Sequence, residues 1–118
     1  MPLQSPRFLQ NERLKNASEN TPALRQGERG DAVVILQLAL IDLGNQMPKS
    51  TKNGNSMPDG IFGQETFQIV SNFQRENGLV ADGVAGRQTL IELERQIIEL
   101  MNQRSAATAL KVQLGSFF

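Results

Sequence analysis

Four residue types are missing from this 118-residue chain: cysteine, histidine, tryptophan and tyrosine. Without cysteine there is no disulfide, no thiol nucleophile and no thiolate ligand. Without histidine the commonest general base and the commonest zinc ligand are gone. Carboxylates, hydroxyls, lysines and amides remain, so neither an enzymatic activity nor a cofactor is expected. The six phenylalanines are the only aromatics, which removes the tryptophan and tyrosine faces on which sugars usually stack. An excess of one charge is lacking as well, since 12 basic residues balance 12 acidic ones. A nucleic-acid partner needs a basic patch to neutralise phosphates, and none is visible. The longest unbroken apolar run, Ala32 to Leu36, falls far short of the ~20 residues of a membrane span. Met1 to Phe8 contain no apolar stretch of the kind that directs secretion, so synthesis in the cytoplasm is the expectation.

What the chain does have is a repeat. Asp59-Gly60-Ile61-Phe62-Gly63-Gln64-Glu65-Thr66 and Asp82-Gly83-Val84-Ala85-Gly86-Arg87-Gln88-Thr89 both read D-G-x-x-G-x-x-T. Asp can hydrogen-bond its own backbone two residues on, and Gly takes the positive φ that other residues resist. A weaker echo lies upstream, where Gly27-Glu28-Arg29-Gly30 is followed by Val33. An apolar run with helical spacing comes after each. Three helices are predicted, each launched from a glycine-hinged loop.

The first is expected over about 31–43, with Asp31 at its start and Gly44 at its end. Val33, Leu36, Leu40 and Leu43 form its core face. Val34, Leu38 and Ile41 form a second apolar row on a side that a surface helix keeps polar, so something should cover it. Residues 45–58 make a polar loop, long against the ~2–8 residues usual between helices, and hence mobile or functional. The second helix is predicted over about 64–77, burying Thr66, Ile69, Val70 and Phe73, with Phe67 off that face. Leu79 and Val80 should pack back before the Asp82 turn. The third should run from about Arg87 to Arg104, roughly 27 Å at 1.5 Å per residue, with Glu92, Glu94 and Glu99 on a solvated side. Residues 1–23 read as a peripheral arm or linker. In 105–118, Val112 and Leu114 alternate with polar neighbours, as in a short strand or clip, and Phe117 and Phe118 suggest a tethered end.

From Leu24 to Leu93 the chain resembles the small peptidoglycan-binding domain, the three-helix module found repeatedly on cell-wall hydrolases. The matching residues are Leu24-Arg25, Gly27, Gly30, Val33, Leu36-Gln37, Leu40 and Gly44, then Asp59-Gly60, Phe62-Gly63, Thr66, Val70 and Phe73-Gln74. The series closes with Gly78-Leu79, Asp82-Gly83, Gly86, Thr89 and Leu93. The resemblance implies an all-α, orthogonal three-helix bundle over 24–104, with an N-terminal arm, an extended C-terminal helix and a tail. It also implies a groove beside the helix-launching loops for the stem peptide or glycan of peptidoglycan. Three departures stand out. Leu90 occupies a position often held by Trp in the family, which weakens an aromatic sugar contact. The 45–58 loop is longer than usual. Val34, Leu38 and Phe67 are apolar where the family is polar.

The candidate ligand-binding residues are Gln37, Asp59, Phe62, Gln64, Gln74, Asp82 and Arg87. Each has a structural alternative. Gln37 and Gln74 either bind loop backbone between helices or face a stem peptide. Arg87 either pairs with a ligand carboxylate or is an ordinary surface arginine. Phe62 fits a core plug. Asp59 and Asp82 fit turn caps better than calcium ligands, because the alternating oxygen donors of a calcium loop are absent; no metal site is expected. Nothing sets Glu65, Asp59 and Asp82 around a sugar-sized cleft as a pair of glycosidase carboxylates would require.

Two functions follow. One is a non-catalytic module that anchors an associated protein or particle to the bacterial wall, acting at the cell envelope. The other is a structural or adaptor subunit of a larger assembly, such as a phage-tail-like contractile injection machine or a homo-oligomer. Its protein contacts would come from Val34, Leu38, Phe67, Phe117 and Phe118.

Overall fold

The computed structural model describes residues 8, 10–51 and 57–115, with side chains through residue 104. Four helices appear among them: α1 (Glu12–Ala17), α2 (Asp31–Asp42), α3 (Gln64–Glu76) and α4 (Arg87–Gly115). There is no strand among the described residues, only three isolated antiparallel bridges. The fold is all-α, as the apolar spacing predicts.

The two D-G-x-x-G-x-x-T segments are corners from which α3 and α4 depart, and residues 24–30 join them. Leu24 exchanges backbone hydrogen bonds with Ala85 at 3.0 and 2.7 Å. A few residues on, the Gly27 N–H donates to Phe62 O at 2.8 Å, Phe62 N–H to Glu28 O at 2.9 Å, and Gly30 N–H to Gly60 O at 3.0 Å. One connecting segment therefore binds both corners before α2 begins.

α2 and α3 stop in the same way. The N–H of Gly44 bonds Ile41 O and that of Asn45 bonds Leu40 O; Gly78 bonds Arg75 O and Leu79 bonds Gln74 O. In both, a glycine at positive φ (102° and 71°) turns the chain back so that orphan carbonyls of the last turn are satisfied.

Val33, Leu36, Leu40, Phe62, Val70, Phe73, Leu90, Leu93 and Ile97 form one buried cluster. Phe62 is fully enclosed, a burial worth roughly 2–3 kcal/mol. Phe8, Leu14 and Ala17 belong to the same cluster, so the segment read as a peripheral arm fills part of the core. Asn11 caps α1 by accepting from the Leu14 N–H. Arg13 then clamps the arm, pairing with both Glu28 oxygens at 2.7 Å and donating to Pro22 O at 2.7 Å.

The second apolar row of α2 is half-covered. Val34 sits over Gly60, Ile41 packs on the edge of the core, and Leu38 is half-buried. Phe67 does not stand free either, because its ring lies against Gly83. The long polar loop is pinned at several of its described residues: Met47 and Ser50 are buried, and Thr51 bridges Pro58. Glu94, expected on a solvated side, is buried; Glu92 and Glu99 pair with exposed Arg95.

α4 is longer than expected. It runs 29 residues, about 43 Å at 1.5 Å per residue, and includes 105–115, which the alternating pattern assigned to a strand or clip. Ala, Leu, Lys and Gln dominate that stretch, and their helix propensity outweighs a two-residue alternation. Past Leu100 the helix leaves the core, and residues 101–104 are all exposed. Phe117 and Phe118 lie outside the described residues.

Candidate ligand-binding site

Each corner is organised by a buried glutamine from the preceding helix. Gln37, on α2, donates through Nε2 to Asp59 Oδ1 (3.2 Å), Ile61 O (3.1 Å) and Thr66 Oγ1 (3.1 Å). Its Oε1 accepts from the Gly60 N–H at 3.0 Å. Gln74, on α3, repeats the pattern with Asp82 Oδ1 (3.0 Å), Val84 O (2.9 Å) and Thr89 Oγ1 (2.9 Å), and accepts from Gly83 N–H at 2.9 Å. The amide is the right group for this position because it donates and accepts at once without a charge. Each Asp also accepts from the backbone two residues on, Asp59 from Ile61 and Asp82 from Val84. This closes the turn that aims the next helix.

This geometry sorts the candidate residues. Gln37, Gln74 and Phe62 are buried, and the two glutamine amides are fully occupied by the corners. Asp59 is half-buried, while Gln64, Asp82 and Arg87 are exposed. The structure brings Gln37, Asp59, Phe62 and Gln64 to the first corner and Gln74, Asp82 and Arg87 to the second. Leu90, where an aromatic sugar contact was in question, is fully buried.

A recess of about 320 Å³ opens beside the second corner, and Asn20, Leu79, Val80, Asp82, Arg87 and Gln88 are among its walls. Val80, expected to pack back, is 73% exposed. The Arg87 guanidinium makes no ion pair among the described residues. Asn20, brought from the N-terminal arm, accepts from the Arg87 N–H at 2.9 Å and caps α4. Asn20, Val80 and Gln88 carry no motif signal; Asn20 reaches the corner across 67 residues of chain, which no local pattern reveals.

The loop carboxylates are engaged structurally. Besides the two Asp turns, Glu65 accepts from the N–H groups of Lys49 and Ser50. Among the described residues no three acidic side chains gather to hold a metal ion.

A sequence profile of the peptidoglycan binding domain matches residues 29–93. The chain belongs to that family. It is 34% identical over 82 residues to a spore cortex-lytic enzyme of Oceanobacillus iheyensis, a match covering 70% of this chain and 27% of the enzyme. It is also 32% identical over 97 residues to the type VI secretion system spike protein VgrG3 of Vibrio cholerae, covering 72% of this chain and 9% of the spike protein. Among solved structures, a peptidoglycan-binding protein of Clostridioides difficile in complex with glutamine hydroxamate is 33% identical with a TM-score of 0.54, over 64% of this chain and 42% of that one. The peptidoglycan-binding domain thus spans only a fraction of the curated relatives it matches.

Proposed function

We propose that this chain is a non-catalytic wall-binding module that holds an associated protein or particle against peptidoglycan, and that its ligand contacts lie in the recess beside the second corner. The observation that carries the reading is the division of labour at that corner. Gln74 and Thr89 are locked inside, while Val80, Asp82, Arg87 and Gln88 stand exposed around an open recess. Family membership over residues 29–93 supports the choice of peptidoglycan as ligand. The engagement of Asp59, Glu65 and Asp82 in turns and loop anchoring supports a binding role over a hydrolytic one. A single shallow site binds weakly, and useful affinity comes from linkage to other modules or from many copies. Sedimentation with purified insoluble sacculi tests the reading. Retention above that of an unrelated neutral protein of similar size is expected; equal retention would overturn it.

A second reading, a subunit of a contractile injection assembly, is favoured by the similarity to the spike protein and by the exposure of residues 101–104 on α4. The two are compatible, since a particle-borne module still binds wall.

A further inference from the structure

Among the described residues three peptide bonds join Asp or Asn to Gly: Asp59-Gly60, Asn77-Gly78 and Asp82-Gly83. Such pairs are self-reactive. The glycine nitrogen gives up its proton and attacks the side-chain Cγ; water leaves from Asp, ammonia from Asn, and a five-membered succinimide forms. Water then opens the ring at either carbonyl. Opening at the backbone carbonyl gives isoaspartate, whose main chain runs through Cβ and is one carbon longer. Glycine favours the attack because no side chain shields its nitrogen. The fold cannot replace it cheaply, since all three glycines have φ between 71° and 73°, where other residues are strained.

We infer that Gln37, Gln74 and Gln96 guard three latent isoaspartate sites, each by engaging atoms that would otherwise react. At the corners the glycine N–H donates to the glutamine Oε1, Gly60 to Gln37 at 3.0 Å and Gly83 to Gln74 at 2.9 Å, with all four residues buried. The same side chains hold the Asp Oδ1 through Nε2, at 3.2 and 3.0 Å, and the N–H two residues on holds that oxygen as well. Attack requires the carboxylate to leave both donors and bring Cγ to a nitrogen whose proton is in use. A neutral amide oxygen is too weak a base to take that proton. The imide nitrogen carries no hydrogen, so ring closure would leave Oε1 without its donor inside the protein, which is costly. At Asn77 the side chain is clamped from both ends. Gln96 Nε2, on α4, donates to Oδ1 at 2.7 Å, and Nδ2 donates to Phe73 O at 2.8 Å. The Gly78 N–H makes only a 3.4 Å bond to Arg75 O, and Gly78 is exposed, so protection there rests on the clamp. Isoaspartate at Asp82 would lengthen the corner that aims α4 and reshape the recess, whatever the recess binds.

The test is ageing of the full chain at neutral pH and physiological temperature, with isoaspartate and deamidation read site by site by mass spectrometry. A synthetic peptide of residues 76–87 spans two of the sites and supplies the unguarded rates. The wild-type chain should react at Asn77 and Asp82 at least about tenfold more slowly than the peptide. Gln96→Ala, at a half-buried helical position, should raise deamidation at Asn77 about fivefold, as for one hydrogen bond lost, with Asp82 unchanged. Gln74→Met should raise isoaspartate at Asp82 about tenfold relative to Asp59, and Gln37→Met should do the reverse. The ratio between corners is the readout, because global unfolding exposes both alike. Equal acceleration at both corners in a folded variant, or Gln96→Ala ageing like the wild type, would overturn the inference. If the methionine variants do not fold, Gln96→Ala and wild-type amide exchange decide: Gly60 and Gly83 should exchange more slowly than Gly78, and exchange as fast as in a free peptide would overturn the guard.

Discussion

Gln74 Nε2 donates to Thr89 Oγ1 at 2.9 Å, with both side chains buried, so the last residue of the second repeat is fastened to the helix before it. Gln37 and Thr66 make the same bond at 3.1 Å in the first repeat. Replacing Gln74 with leucine keeps the volume but takes their partner from the Gly83 N–H, the Val84 carbonyl and the buried Thr89 hydroxyl, while Asp82 Oδ1 keeps the Val84 N–H. Each buried polar group left unsatisfied costs about 1–3 kcal/mol. Gln74→Leu and Gln37→Leu should therefore each destabilise by about 3 kcal/mol. Urea unfolding checks this, with the midpoint falling at constant slope; a loss below about 1 kcal/mol would show that the network contributes little.

Gly83 has φ +72°, and a Cβ added there would overlap the Phe67 ring. At Gly60, φ +73°, the added atom meets Val34 Cγ2 at 2.9 Å and Gly30 O at 3.2 Å. Gly83→Ala should cost about 2–4 kcal/mol, combining left-handed strain with overpacking, and more than Gly60→Ala. Adding Phe67→Leu to Gly83→Ala should recover the steric part and leave the backbone strain. A double-mutant cycle in thermal unfolding reads this coupling; additive effects would mean that the ring does not pack on the corner.

Phe8→Ala separates a core arm from a peripheral one. Phe8 is fully buried in the main cluster, so its truncation should cost about 3–5 kcal/mol. An arm lying on the surface would lose less than about 0.5 kcal/mol.

Most of the helical framework was legible in the sequence, because the repeats, the terminating glycines Gly44 and Gly78 and the apolar spacing act locally. The starts of α3 and α4 follow from D-G-x-x-G-x-x-T, and the burial of Gln37 and Gln74 was one of the two readings their positions allowed. What escaped depends on contacts between distant parts of the chain. Phe8, Leu14 and Ala17 make too short an apolar pattern to distinguish a core helix from a surface one. Phe67 reads as an unpartnered aromatic only until the second corner is folded against it. Glu65 gives no sign that it will pin Lys49 and Ser50, so the polar loop looked free. The recess is the least legible feature, since Asn20, Val80 and Gln88 meet only once the arm and both corners are assembled.

Gly86 and Gly63 occupy the same place in the two repeats, yet the structure assigns them different tolerance. A Cβ at Gly63 meets nothing within 4 Å. At Gly86 it would run into the Asn20 side chain that caps α4, with Ala23 Cβ at 3.1 Å. Gly63→Ala should be near neutral, whereas Gly86→Ala should cost about 1 kcal/mol or more through loss of the cap. Asn20→Ala should reproduce much of that loss and be nearly additive with Gly63→Ala; equal effects of the two glycine substitutions would contradict the cap.

The most direct measurement is a ¹⁵N chemical-shift map of the full chain with soluble fragments released from sacculi. The predicted result is perturbation concentrated at Asn20, Val80, Asp82, Val84 and Gln88, with Ile61 to Glu65 of the first corner silent. Perturbations centred on the first corner, or along α4 beyond Leu100 with the recess unmoved, would contradict it.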